Sequence, residues 1–116
     1  MNIFKHLFEP TPKGPRREGF WYSNDSENRH FPKPVPHERS MGGQKTFLSK
    51  MEGVESRCDV RHYKGWSECR LCGERVGSRE YRHKGWVWPE GFRHYILVHN
   101  VRPSAEFVNF MNGRAQ

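Results

Sequence analysis

Two cysteines with two residues between them, Cys69 and Cys72, constrain the fold of this chain more than any other feature. That spacing lets both thiolates face one metal ion from a tight turn, and Gly73 can adopt the strained conformation just after the second ligand. A redox function is disfavoured, because a redox pair opens a helix in a βαβ unit, whereas glycine-punctuated short strands follow here. The pair therefore indicates a metal-binding turn.

Two downstream histidines, His94 and His99, complete a candidate ligand set. The gap between them has the length found in Cys2His2 sites, and the helix that we predict for them follows a predicted hairpin, which is the ββα order of such a finger. A five-residue step turns about 140° around an ideal helix, so we expect the last helical turn to loosen. We predict a Zn²⁺ site with four ligands: Cys69, Cys72, His94 and His99.

The hairpin of this finger is enlarged. Between Cys72 and His94 lie 21 residues, where a standard finger has about 12. The module is therefore a variant of the finger, and three other side chains remain alternative ligands: Cys58, His62 and His83.

The composition also favours a metal. Only 34% of the 116 residues are hydrophobic, so the core must be small. Additional stabilisation by a covalent cross-link or a bound metal ion is therefore expected. Three cysteines cannot all pair with one another, and no apolar signal segment marks the chain for an oxidising compartment. No stretch approaches the run of about 18 apolar residues that spans a bilayer. We predict a cytoplasmic protein without a membrane partner.

Proline and aromatic residues divide the chain into two parts. Six of the eight prolines fall in residues 1–36, where they disfavour helices and central strands, so we predict an extended arm over 1–41. Its aromatic residues Phe20, Trp21 and Tyr22 are too apolar to stay in water, so they should cover the folded domain or a partner. Residues 42–116 then form the zinc module with flanking helices.

Periodicity and turn residues predict an α+β fold. An apolar stripe indicates a helix over 44–60, in which Cys58 is a small buried side chain. Short strands are predicted at 66–69, 78–81 and 85–88. A helix should begin at Pro89 and end near His99, because Asn100 favours the left-handed conformation, and a last helix should run from 103 or 104 to 112. The fold class is a small zinc-stapled variant ββα finger with a proline-rich N-terminal arm.

Positive charge is concentrated around the proposed finger. Residues 61–102 hold nine Lys or Arg against four Glu, a net +5 out of the +7 of the whole chain. Too few residues precede His94 on its helix for sequence-specific reading of a DNA major groove. Phosphate contacts and base stacking are the expected mode of binding to nucleic acid or a nucleoprotein. The candidate contact residues are Arg75, Arg79, Arg82, Lys84 and Arg93.

Two rival functions follow from the same residues. An enzyme is disfavoured, because two cysteines and two histidines close a tetrahedron and leave no position for a catalytic water. A protein-binding adaptor or inhibitor, whether phage-borne or not, stays open as the alternative. In that case the aromatic arm around Phe20, Trp21 and Tyr22 docks on another protein, and the charge serves solubility.

Several segments carry a family resemblance. They are Gly-Trp-Ser at 65–67, Cys-Arg-Leu-Cys-Gly at 69–73, Gly-Ser-Arg-Glu-Tyr at 77–81, Gly-Trp-Val-Trp-Pro-Glu-Gly at 85–91 and His-Tyr at 94–95. With them the stretch 65–107 resembles small uncharacterised bacterial and phage-borne proteins, and the ligand quartet is similar to the Cys2His2 zinc-finger pattern. The resemblance implies a bacterial or phage cytoplasm and leaves the mechanism open.

Overall fold

One mixed sheet with the strand order β1-β4-β3-β2 organises the chain in a computed structural model that describes residues 14–113. The strands are β1 (Arg16–Arg17), β2 (Asp59–Glu68), β3 (Arg75–His83) and β4 (Trp86–Pro89). Strands β2, β3 and β4 are antiparallel neighbours, and β1 runs parallel to β4. The helices are α1 (Gln44–Glu55), α2 (Phe92–His99) and α3 (Ala105–Met111). The predicted α+β class is confirmed for the described residues.

The core lies between one face of the sheet and the helices. Trp86 and Trp88 alternate along β4 and pack with Phe107 of α3, at ring-centroid distances of 5.3 and 5.4 Å. Phe47 and Met51 of α1 belong to the same cluster, so all of this apolar surface is removed from water together. The sheet therefore has a helix-covered face and an opposite face, here called the outer sheet face.

A tight hairpin turn joins β3 to β4. Lys84 and Gly85 both have positive φ, at 47° and 86°, which is the pattern of a type I′ turn and matches the twist of antiparallel strands. This turn sets the register in which His83 faces Trp86 and Tyr81 faces Trp88. The aromatic side chains of the two strands therefore share the helix-covered face.

Two predicted helix bounds are wrong. The first helix ends at Glu55, not 60, and Cys58 lies beyond it, partly buried against the main core. The second helix begins at Phe92, not at Pro89. Pro89 instead ends β4, because the Glu90 N–H donates to the Arg79 oxygen at 2.8 Å and keeps the chain in the sheet. Sheet pairing thus overrides the helix-starting preference of proline.

Other local predictions are confirmed. Asn100 ends α2 in the left-handed conformation with φ 54°. Ser104 caps α3, since its side chain accepts from the Phe107 N–H at 3.1 Å.

Strand β2 is longer than the predicted strand at 66–69. It is an edge strand exposed along almost its whole length, so its sequence lacks the alternation of apolar residues from which a strand is predicted. The cysteines lie in the connection between β2 and β3, and a third strand, β4, comes between this hairpin and α2 in the chain. The order of elements is therefore βββα and not the ββα order of a standard finger.

The described part of the arm, 14–41, lies against the module, whereas 1–13 and 114–116 lie outside the described residues. Arg16 and Arg17 add a short strand beside β4. Gly19, with φ 79°, passes so close to Phe92 that a Cβ atom there would overlap the ring. None of the helices in the described part of the chain is long and apolar enough to cross a membrane.

Candidate metal centre

The four predicted zinc ligands come together at one end of the sheet. One donor atom from each of Cys69, Cys72, His94 and His99 lies within 4.8 Å of the other three. A tetrahedral zinc ion with Zn–S of about 2.3 Å and Zn–N of about 2.0 Å would hold such atoms about 3.3 to 3.8 Å apart. The Cys72 Sγ to His94 Nε2 distance, 3.3 Å, is already close to that value. The cluster can hold a metal ion if the two most distant donor atoms move slightly closer together.

The cysteine turn is built by backbone hydrogen bonds. The Cys69 N–H donates to the Glu74 oxygen and the Gly73 N–H donates to the Cys69 oxygen, both at 2.8 Å. Gly73 has φ 79°, as its place after the second ligand requires. The Leu71 N–H points to Cys69 Sγ at 3.4 Å, and such a donor stabilises negative charge on a ligating sulfur. The turn is shaped to present both sulfur atoms.

The first histidine lies between a cysteine and a carboxylate. His94 lies in the first turn of α2 with Nε2 toward Cys72, while its Nδ1 is 3.9 Å from a carboxylate oxygen of Glu74. Metal-ligating histidines commonly direct their second nitrogen to a carboxylate, which fixes the ring and its tautomer. Glu74 therefore lies near the second nitrogen of His94, at a distance longer than a hydrogen bond.

The second histidine reaches the site because the helix end widens. The N–H groups of Asn100 and Val101 both donate to the Tyr95 oxygen, beyond the usual four-residue spacing. The rings of His94 and His99 come within 5.1 Å of each other, between centroids. The expected loosening of the last helical turn is confirmed.

His99 carries a buried nitrogen that needs a partner. Its Nε2 has no hydrogen-bond partner among residues 14–113, although it is shielded from solvent. An unsatisfied buried polar atom costs about 1–3 kcal/mol. Coordination of a metal by this lone pair would remove that cost, so the chemistry of the donor set fits a metal.

The pKa of the Cys72 thiol depends on the neighbouring Cys69. The backbone of Glu74 lowers the pKa of the Cys72 thiol, but desolvation and the neighbouring Cys69 outweigh it, and the pKa is raised. A cation bound between two thiolates would offset their mutual repulsion. Without such a cation, the raised pKa favours the protonated form of Cys72.

A tyrosine that the sequence analysis did not select supports the site. The Tyr95 hydroxyl accepts from the Arg70 N–H at 2.7 Å, which links α2 to the middle of the cysteine turn. Burial raises the pKa of Tyr95 to about 12, so the phenol stays neutral. No spacing rule in the sequence points to this residue, because its contact depends on how α2 packs on the turn.

The alternative ligands lie elsewhere. Within the described residues, the only cluster of potential ligands holds the four predicted side chains. Cys58 packs against the main core, where burial raises the pKa of its thiol. His83 faces Phe110 with a ring-centroid distance of 6.0 Å, and His62 lies on exposed β2 opposite Arg79. The structure therefore favours the original quartet.

Three of the five predicted nucleic-acid contacts are engaged in ion pairs. Arg79 binds Glu90 at 2.7 Å, Arg82 binds Glu80 at 2.9 Å and Arg93 binds Glu55 at 3.2 Å. The other two, Arg75 and Lys84, are exposed and take part in none of the ion pairs among the described residues.

Cations outside that predicted set also lie on the sheet. Register across the strands places Arg17 beside Val87, Val87 beside Arg82, and Arg61 beside Glu80. Residues paired across neighbouring strands have their side chains on the same face of the sheet. Trp86 and Trp88 point to the helix-covered face and Val87 lies between them in β4, so Val87 and the arginines on its face belong to the outer sheet face. The sequence alone gave no signal that the two-residue strand β1 contributes Arg17 to it.

The aromatic residues of the arm contact the chain itself. Phe20 stacks on Phe31 at a centroid distance of 5.5 Å, and Trp21 meets Tyr95 at 5.7 Å. The Lys33 ammonium lies 5.5 Å from the centre of the Tyr22 ring. Part of the predicted partner-binding surface is therefore occupied by intramolecular contacts.

Comparison with known proteins adds no relative. No protein-family model, no curated protein and no solved structure matches this chain. Its function must therefore be inferred from its own residues.

Proposed function

We propose that the protein is a non-catalytic zinc-binding protein of the cytoplasm that binds nucleic acid or a nucleoprotein through the basic side of its sheet. Zinc is favoured over other metals because two thiolates and two imidazoles in a tetrahedral arrangement suit it best. Four protein ligands fill the coordination shell of such an ion, so no position is left to activate water or bind a substrate. The ion then has a structural role.

The difference in net charge between the sheet and the helices supports the proposal. The sheet with its connecting turns, 16–17 and 59–89, holds nine Lys or Arg against four Asp or Glu, a net charge of +5. The helices α1, α2 and α3 together hold three Lys or Arg against three Glu and are neutral. A solubilising charge would be spread over both layers, whereas a polyanion needs it on one side.

Salt dependence of binding tests this function. Each phosphate contact releases condensed counterions and adds about 0.9 to the slope of log K against log salt on duplex, or about 0.7 on a single strand. Replacing Arg75 and Lys84 together by alanine should flatten the slope by about 1.4 to 1.8. Arg79→Ala is the matched control, because its guanidinium is held by Glu90 and should contribute less.

The adaptor alternative predicts a different outcome. An aromatic-anchored protein interface changes little with salt and loses affinity when its anchor is truncated. Phe20→Ala is the suitable arm variant, since Trp21 packs against Phe92 and Tyr95 and its loss would disturb the fold. A parent protein that binds no nucleic acid at low salt, together with partner capture abolished by Phe20→Ala, would replace the nucleic-acid function by the adaptor.

A further inference from the structure

A cleft of about 660 Å³ lies between the arm and the sheet. Its volume falls within the range of about 300–1,000 Å³ in which proteins bind small ligands. Six Phe, Trp or Tyr side chains contribute to its walls: Phe20, Trp21, Phe31, Tyr63, Trp66 and Tyr95. The cleft is thus an aromatic-lined space on the most basic layer of the molecule.

An irregular segment of β2 forms one wall of the cleft. The register with β3 shifts between His62 and Ser67, so residues 63–66 bulge from the ladder, and Gly65 there has φ 88°. Trp66 follows this glycine and is 61% exposed. A bulge re-aims side chains at the edge of a sheet, and an exposed indole is costly to keep in water. Trp66 is therefore presented to solvent at the cleft rather than to the core.

The charged groups of the cleft suit a nucleotide. Arg17, Lys64 and Arg70 supply cations, while Glu27 and Glu68 supply carboxylates that can accept from exocyclic amino groups of bases. The third carboxylate, Glu80, is already bound by the Tyr63 hydroxyl at 2.7 Å and by Arg82. Arg70 already donates to the backbone oxygens of Tyr22 and Glu68. The side chains of Arg17, Lys64, Glu27 and Glu68 are therefore the charged groups best suited to phosphate and base-edge contacts.

We propose that this cleft binds an unpaired nucleotide of single-stranded nucleic acid, with the base stacked on Trp66 and the backbone phosphates beside Lys64 and Arg17. The inference rests on the proposed function and specifies its ligand class. A base inside a duplex is stacked and paired on both sides, so it cannot offer a face to an indole. Single strands offer every base face, and stacking on one aromatic side chain strengthens binding about 5- to 100-fold.

Fluorescence anisotropy with a labelled oligodeoxycytidylate of about 16 nucleotides, whose bases carry exocyclic amino groups, and with a duplex of equal length, tests the proposal. Trp66→Ala should weaken single-strand binding about 5- to 100-fold and leave duplex binding unchanged, whereas Trp66→Phe should restore much of the affinity. Leu97→Ala is the matched control, since Leu97 is an apolar side chain of α2 that is 57% exposed and lies away from the cleft. Melting curves and zinc content verify that each variant is folded.

Lys64→Ala provides a second, independent readout. It should lower the single-strand salt slope by about 0.7 without affecting the metal. If the parent binds the duplex with a steep salt slope but Trp66→Ala binds the single strand as the parent does, the cleft proposal is overturned while the proposed function stands. If the parent binds neither probe at low salt, both the cleft proposal and the proposed function are rejected. Equal loss of affinity in Trp66→Ala and Leu97→Ala also rejects the stacking role.

Discussion

The hydroxyl of Tyr95 accepts a hydrogen bond of 2.7 Å from the backbone N–H of Arg70. Arg70 lies between the two cysteines of the candidate ligand cluster, and Tyr95 directly follows His94 along α2. The bond therefore holds the cysteine half of the ligand set against the histidine half, and it does so without touching the metal position itself.

Tyr95→Phe should weaken metal binding while all four ligands remain. The ring still fills its buried place, but the Arg70 N–H loses its acceptor, and outer-sphere partners of this kind are worth about 10- to 100-fold in affinity. Competition with a zinc chelator measures the change. Tyr63→Phe removes a comparable hydroxyl bound to Glu80 away from the metal cluster and serves as control. Equal affinity in both variants would contradict the positioning role of Tyr95.

Purified protein should contain about one zinc per chain, and a chelator should lower its melting temperature, because metal-binding energy at such sites is folding energy. Cys69→Ser should lose the metal, since it removes a ligand from the cluster. Cys58→Ala should keep it, because Cys58 packs against the main core instead. Elemental analysis decides the question, and similar zinc loss in both variants would place Cys58 in the site.

Gly19→Ala should loosen the arm from the module. The added Cβ would enter the ring of Phe92, and overpacking of this kind costs about 1–3 kcal/mol beyond the strain of a positive φ. Gly14→Ala is the matched control, because Gly14 has φ 77° and open space around its Cα. Chemical denaturation should rank Gly19→Ala well below Gly14→Ala in stability. Equal stability would mean that the arm does not pack on Phe92 in solution.

The arm also introduces a pH dependence through Glu18. Burial raises the pKa of Glu18 above 4.5, although Ser104 donates to its carboxylate at 2.7 and 3.0 Å. The folded chain then holds this proton more tightly than the unfolded chain, so the contribution to stability is full below the ordinary pKa and is lost as pH rises through the raised one.

Glu18→Gln cannot ionise and should lack that loss. The free energy of unfolding of the parent, relative to the variant, should therefore fall as the pH increases through the weakly acidic range. Urea denaturation of both proteins at a series of pH values gives this difference, and the effects of the histidines cancel because both proteins contain them. A difference that does not change with pH would show that Glu18 has an ordinary pKa in the folded state.

Local rules predicted the candidate ligand cluster and the end of α2 well. The spacing of Cys69 and Cys72 and the position of His99 before Asn100 are local signals, so the sequence contains the information directly. Pro89 shows the limit of such rules. Its preference for a helix start is real, but pairing with Glu80 across the sheet is a long-range interaction that a local pattern does not contain.

The binding surface was harder to predict for a physical reason. Arg79 and Arg82 look like free cations in the sequence, yet folding places Glu90 and Glu80 beside them. Trp66 was predicted in a strand, but its exposure follows from the bulge at 63–66, which is defined only by the pairing of β2 with β3. Charge and exposure at these positions are properties of the tertiary structure.

The parallel pairing of β1 with β4 has a consequence for biosynthesis. Arg16 pairs with Trp86, which lies 70 positions later in the chain. A ribosome that adds about 5–20 residues per second needs about 4–14 s to make that interval, so the arm leaves the exit tunnel long before its strand partner exists. The hairpin of β2 and β3 can form first, while Trp21 of the arm has no partner until Phe92 and Tyr95 are made. Nascent chains of this protein therefore expose Trp21 until residue 95 has emerged.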